Sequence, residues 1–284
     1  MKTMPIMTHF QTRCSLIAKL NAVKGEEKSI GFVPTMGALH EGHLSLVKRA
    51  VMECDVVVVS IYVNPLQFNN PDDLKNYPST LENDLKLLSL FPEVIVFTPS
   101  FSDVFPLNDV HYNVELGELA TVLEGAHRPG HFLGVGKVVY ALFDLVKPTK
   151  AFFGSKDYQQ VLIIKKLVEV LGLKVEVIEC STQRDPSGLA MSSRNLLLSP
   201  NERMEASIIF KTLHFCQENI SSNTPMALAS AAKHFFSAGS LRLEYLEIVG
   251  ALDLNPIGDW EQKSVCCIAA YCGKIRLIDN LVLN

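Results

Sequence analysis

The spacing of apolar positions divides the chain into two unlike stretches. Through the first 180 residues, short apolar runs alternate with segments of helical period. The runs are "IGFVP" (30–34), "DVVVVSIYV" (55–63), "EVIVF" (93–97), "KAFF" (150–153) and "KVEVIEC" (174–180). Where Val and Ile follow one another without polar alternation, the pattern predicts strands covered on both faces, as in a parallel sheet. Helices are predicted between them, near 43–53, 80–90, 134–146 and 157–171. The last opens at Asp157 and stops before Gly172, a sound pair of start and stop signals. This alternation predicts a doubly wound, Rossmann-like α/β domain over residues 1–184.

Beyond about residue 185 the pattern changes. "LSPNERMEASIIFKTLHFC" offers Ser199 as N-cap, Pro200 at the first helical position and Glu202 two residues on, a capping box opening one helix. A second helix is predicted around 225–238. Strands then follow near 243–250, 264–272 and 274–283, with Gly273 between the last two. Residues 185–284 therefore read as a smaller α+β domain. The "DPSG" stretch at 185–188 reads as a hinge between the two domains.

The unusual polar residues sit where this topology gives them meaning. "TMGALHEGH" follows the first predicted strand, "NPLQF" (64–68) the second, "GSKDYQQ" (154–160) the fourth and "STQRDPSGLAMSSRN" (181–195) the fifth. In an open parallel sheet all strand carboxyl ends share one edge, and ligands bind in the crevice there. Four stretches far apart in sequence are thus expected on one rim.

Composition narrows what that rim binds. With 284 residues, 48% of them apolar, the chain is long enough for two domains with real cores. Lys plus Arg is 26 against 30 Asp plus Glu, a net charge of -4. That balance argues against a nucleic-acid binder and leaves room for a local cationic pocket. The N-terminal segment lacks the apolar core of a signal peptide, and no run reaches bilayer-spanning length. Seven cysteines without a CxxC fit reduced thiols better than disulfides or zinc. The reading is a soluble cytoplasmic protein, off membranes and nucleic acids.

Each candidate residue also has a plainer reading. His40 and His43 either decorate a helix start, ligate a metal, or donate to phosphate beside helix amides that favour anions. There is no HExxH and no third ligand nearby, which weakens the metal alternative. Asn64 and Gln67 flank Pro65 and could be turn residues. Gln160 stands three residues after Asp157 and could complete a capping box. Ser192, Ser193 and Arg194 read as a phosphate loop or as a Ser-rich linker. "GVGKVV" (134–139) fails as a Walker loop because Val138 follows the lysine, and neither GxGxxG nor GxSxG occurs.

Together, "PTMGALHEGHLSLV", "VNPLQF", "LEGAHRPGHF-GV", "FFGSKDYQQ", "GLAMSSRN" and "KIRLIDN" resemble the pantoate–β-alanine ligase family of HIGH-motif nucleotidyltransferases, in order from residue 30 to the end. The resemblance implies ATP-dependent condensation of pantoate with β-alanine, through a pantoyl-adenylate, with AMP and pyrophosphate released. It also implies Mg²⁺ carried mainly by the ATP phosphates, a homodimer, and a lid role for the smaller domain. Carried over by position, the ATP contacts are Pro34, Thr35, Met36, Gly37, Ala38, Leu39, His40, Glu41, Gly42 and His43. Gly154, Ser155, Lys156, Asp157, Gln183, Met191, Ser192, Ser193 and Arg194 complete them. His40, His43, Lys156 and Arg194 are the implied catalytic set, with His43 standing where the family has its proton donor. Gln67, Gln160 and Asn64 are the implied pantoate contacts, and no protein ligands to a metal are implied. The chain departs from the family at Ser155 (usually Glu), Leu133 and Ser79 (usually Arg) and Gln183 (commonly Val).

Overall fold

A computed structural model describes residues 8–24, 28–106 and 115–284. The chain forms two compact units, one built on the chain up to Ser155 with Gln160–Ser181, the other on Lys156–Gln159 with Thr182–Asn284.

The first unit alternates strands and helices: β1 (Thr8–Phe10), α1 (Arg13–Lys24), β2 (Ile30–Thr35), α2 (Glu41–Glu53) and β3 (Val56–Ile61) come first. Then come α3 (Pro71–Lys75), α4 (Leu81–Leu88), β4 (Val94–Phe97), α5 (Phe101–Val104), α6 (Glu124–His127), α7 (His131–Val146), β5 (Lys150–Gly154), α8 (Tyr158–Val170) and β6 (Glu176–Cys180). The six strands make one sheet in the order β1-β4-β3-β2-β5-β6, and every pairing is parallel. This is the Rossmann-like architecture expected of the alternation. The five predicted strands are present, and β1 adds a sixth at the edge. Its Phe10 pairs with Phe97, and Phe10 O accepts from Thr98 N at 2.9 Å.

Unbroken Val/Ile runs give strands buried on both faces. On one face Phe32, Val58, Ile95 and Phe97 pack with α1 and α7; on the other Val33, Val57, Val59, Val94 and Val96 pack with α2. Strand order reverses at β2: β3 and β4 extend the sheet on one side, while β5 and β6 extend it on the other. That reversal opens a crevice at the carboxyl ends of β2 and β5.

The second unit carries α9 (Pro200–Glu205), α10 (Ile208–Asn219) and α11 (Pro225–Phe236) over an antiparallel sheet of β7 (Arg242–Gly250), β8 (Ser264–Cys272) and β9 (Ile275–Val282). The Ser199–Glu202 capping box forms as predicted, with Ser199 Oγ accepting from Glu202 N at 3.3 Å. The single helix expected after it is two, because Ile209 N turns to Ala206 O, a tighter bond that breaks the helical register. All seven cysteines are free thiols, five of them buried. Among the described residues no helix is long and apolar enough to cross a membrane.

Candidate active site

Where β2 ends, the chain turns sharply through Gly37 (φ +81°) and Ala38 (φ +50°) before α2 begins. A left-handed alanine is strained, so something must hold it. Asp84, projecting from α4 and almost wholly buried, does so: its Oδ2 accepts from Ala38 N at 2.9 Å and its Oδ1 from Leu39 N at 2.8 Å. Thr80 Oγ1 donates to Oδ1 at 3.0 Å. A β-carbon at Gly37 would stand 3.0 Å from Asp84 Oδ2 and 3.0 Å from Ile61, which leaves glycine the fitting residue.

The two histidines answer each other across the first turn of α2. His40 Nδ1 accepts from Gly42 N at 3.1 Å, and His43 Nδ1 accepts from His40 N at 3.4 Å. The His40 ring also takes the His43 amide, closing a reciprocal capping box, and the ring centroids are 4.1 Å apart. A ring nitrogen that accepts from a backbone N–H carries no hydrogen, so these bonds assign Nε2–H as the donor of each neutral ring. The bare helix amides expected to face an anion are thus turned partly toward imidazoles. Both Nε2–H groups stand at the positive end of a helix.

At the end of β3, Asn64 caps the single turn Pro65–Gln67, accepting from Leu66 N at 3.3 Å. It is a turn residue, as the plain reading has it, and more. Its Nδ2 donates to Gln67 Oε1 and to Gly134 O, each at 3.2 Å. Gln67 Nε2 in turn reaches Met36 Sδ at 3.1 Å, so the implied ATP loop and the implied pantoate amide touch. A carboxamide has four hydrogen-bonding positions, and these bonds use two. The platform beneath is the first turn of α7: a β-carbon on Gly134 would lie 2.2 Å from Leu66 O.

Strand β5, beside β2, ends at Gly154. Ser155 Oγ donates to Cys180 O at 3.0 Å, tying the ends of β5 and β6 where the family usually has Glu. Gln160 lies in the first turn of α8. The helix α2 is braced on the same strands: Glu53 bonds Arg49 and Lys150, each at 2.9 Å, and these bonds, Arg49's first, hold its carboxyl below the usual range. Of the other departures, Leu133 and Ser79 are exposed.

The cations belong to the second unit. Asn280 Nδ2 donates to Lys156 O at 2.8 Å and Tyr158 OH to Ala251 O at 2.7 Å, which sets this short segment into that unit. Lys156 Nζ lies 3.5 Å from Asp157 Oδ1. Gln183 is exposed, and its main-chain oxygen accepts from Met191 N at 2.8 Å. Ser192 Oγ accepts from Arg194 N at 3.3 Å, starting the turn Ser193–Leu197. The "DPSG" stretch lies inside this unit, closed by Asp185 Oδ1 accepting from Ser187 N at 2.8 Å and Leu189 N at 3.2 Å. Arg184, just before it, pairs with Asp279 through both guanidinium nitrogens. Burial pushes the Asp279 carboxyl up, against the downward pull of Arg184.

Residue-by-residue reasoning passes over Asp84, His131, Asp279 and Asn280. The signal available for the two aspartates is a charge on a buried face: Asp84 and Leu88, four apart, are the buried residues of α4, and Asp279 alternates with buried Leu277 on β9.

The fold is that of an α/β class in which ligands bind at the carboxyl edge of a doubly wound sheet. The chain belongs to the pantoate–β-alanine ligase family, whose model matches residues 8–282. A pantothenate synthetase of Porphyromonas gingivalis is 44% identical over 278 residues, 97% of this chain and 99% of that one. The crystal structure of pantothenate synthetase from Thermus thermophilus superposes with a TM-score of 0.91 at 40% identity, covering 98% of this chain and 99% of that chain. A pantoate–β-alanine ligase from Francisella tularensis, crystallised with β-γ ATP and β-alanine, gives 0.82 at 37% identity, covering 98% of each chain.

Proposed function

We propose that this protein condenses pantoate with β-alanine at the expense of ATP, in two steps. First, a pantoate carboxylate oxygen attacks the α-phosphorus of ATP; the bond from that phosphorus to the β-phosphate oxygen breaks, and pyrophosphate leaves. The β-alanine amine then attacks the acyl carbon of the adenylate; the acyl C–O bond breaks, AMP leaves and the amine sheds a proton. The observation that carries this reading is the 3.1 Å contact between Gln67 Nε2 and Met36 Sδ, which joins the nucleotide loop to a neutral amide suited to a hydroxy acid.

The residue types suit the task. Carboxylate and triphosphate repel, so charge must be countered without a competing nucleophile. The Nε2–H groups of His40 and His43 donate to phosphate oxygens, while Lys156 and Arg194 supply positive charge for the departing pyrophosphate. Gln67, Gln160 and Asn64 orient the acid without adding charge, a positioning effect. Mg²⁺ in this proposal arrives on the ATP phosphates. Among the described residues no three His, Cys, Asp or Glu side chains gather to hold a metal ion. The cytoplasmic homodimer, and the lid role of residues 185–284, belong to the same proposal and rest on the resemblance.

Pyrophosphate–ATP exchange tests it. Exchange should require pantoate and no phosphorylated acceptor, and Lys156→Ala should lower it about 10²–10³-fold with the melting temperature unchanged. Exchange without pantoate, or full-rate exchange by the variant, overturns the reading.

A further inference from the structure

The first turn of α7 holds a buried histidine that takes no part in the ligand contacts above. His131 Nδ1 lies 2.8 Å from the main-chain oxygen of Gln67, and its Nε2 lies 3.0 Å from Arg128 Nη1. These partners settle the tautomer. A carbonyl oxygen accepts, so Nδ1 carries the hydrogen and donates it; a guanidinium donates, so Nε2 accepts. Both bonds select the same neutral ring. Behind it, Glu124 Oε2 stands 3.6 Å from Arg128 Nη1, and Glu124 is itself buried. Carboxylate, guanidinium, imidazole and carbonyl thus form a line that ends on Gln67.

We propose that His131 is a positioning residue for the acid substrate: by donating to the Gln67 carbonyl it fixes the peptide that aims the Gln67 carboxamide. The inference rests on Gln67 as the pantoate ligand and extends that reading. A lone turn needs such help. Pro65–Gln67 is closed by Gln67 N to Asn64 O at 3.4 Å and Phe68 N to Pro65 O at 3.2 Å, and one turn of this kind is weak by itself. The same turn of α7 grips it twice, through His131 on the main chain and through Gly134 O on Asn64, whose amide orients the Gln67 side chain. An imidazole fits the post because it donates along a fixed ring direction while remaining uncharged near a bound carboxylate.

Steady-state kinetics of the full-length enzyme with pantoate, ATP and β-alanine varied in turn decides the matter. His131→Asn places its amide N–H near the position of Nδ1 and keeps the donor. His131→Gln places it near Nε2 and loses the bond to Gln67 at similar polarity. The expected result is a pantoate KM raised about tenfold in His131→Gln, near wild type in His131→Asn, with the ATP and β-alanine KM within about twofold in both. Equal pantoate KM in the two variants, or equal shifts for all three substrates, overturns the inference. Gln67→Ala, measured alongside, separates its failure from that of the underlying reading. If it raises the pantoate KM while His131→Gln does not, only the inference falls; if it leaves that KM unchanged, both fall.

Discussion

Each unit holds a buried aspartate, and the two are satisfied in opposite ways. Among the described residues Asp84 meets neutral donors, the amides of Ala38 and Leu39 and the Thr80 hydroxyl. Asp279 meets a guanidinium, Arg184, together with the Asn280 amide. The difference follows what each must hold. Asp84 fixes the left-handed stretch of backbone that leads into the His40–His43 cap. Asp279 anchors the unit that carries Lys156 and Arg194, and its own cation is consumed in the pairing. Neutral donors hold a loop of the first unit, and a neutralised ion pair steadies the second.

Removing Asp279 should have the largest effect on stability. Asp279→Leu strands Arg184, whose side chain is 17% exposed beside a partner only 2% exposed. Breaking a buried pair from one side costs about 3–5 kcal/mol. The lower end is expected here, because Arg184 keeps Gly188 O at 3.1 Å and lies over the Phe210 ring. The double change Arg184→Met with Asp279→Leu should recover most of that loss, since an apolar pair of similar bulk replaces a costly ionic one. Urea denaturation of the three proteins checks this. A single variant as stable as wild type would show that the pair anchors nothing.

Asp84→Asn should cost less stability and more activity. One acceptor oxygen becomes an NH₂ group facing a backbone donor, a loss of about 2 kcal/mol. With Ala38 already left-handed, the loop relaxes and shifts His40 and His43, and a misplacement of about 1 Å is worth about a hundredfold in rate. Pantoate-dependent exchange, read beside the melting temperature, distinguishes this from general unfolding. A variant that loses stability while keeping its rate would remove Asp84 from the positioning of the histidines.

Much of this arrangement is legible in the sequence, for local physical reasons. The Ser199 cap, Pro200 and the stop at Gly172 are signals written in short stretches of chain, and the Val runs of β3 and β4 declare a sheet covered on both sides. A parallel sheet then forces the loops after β2, β3 and β5 onto one edge, whatever their separation. What escapes is what depends on distant partners. β1 has three residues and pairs Thr8 with Ile95, far along the chain; it is too short to show a period. α1 shows little amphipathic contrast, although Leu16 and Leu20, one turn apart, bury fully. Asp84, Asp279 and His131 look like lapses in apolar stripes until the groups they hold are seen. The cap formed by His40 and His43 escapes for the same reason, since spacing alone leaves phosphate, metal and helix start all in play.

The smallest expected effect is the sharpest probe of the second unit. Asn280 Nδ2 donates to Lys156 O at 2.8 Å, one neutral hydrogen bond worth about 1 kcal/mol. Asn280→Ala removes it while the Arg184–Asp279 pair stays intact, so the unit should remain folded and Lys156 should lose only its main-chain tether. If Lys156 serves the departing pyrophosphate, the loss falls on the first chemical step: exchange slows about five- to tenfold, the rate equivalent of that one bond, and the pantoate KM stays put. A raised pantoate KM at an unchanged rate would instead place this segment with the acid, and the division of labour between neutral and cationic units would have to be redrawn.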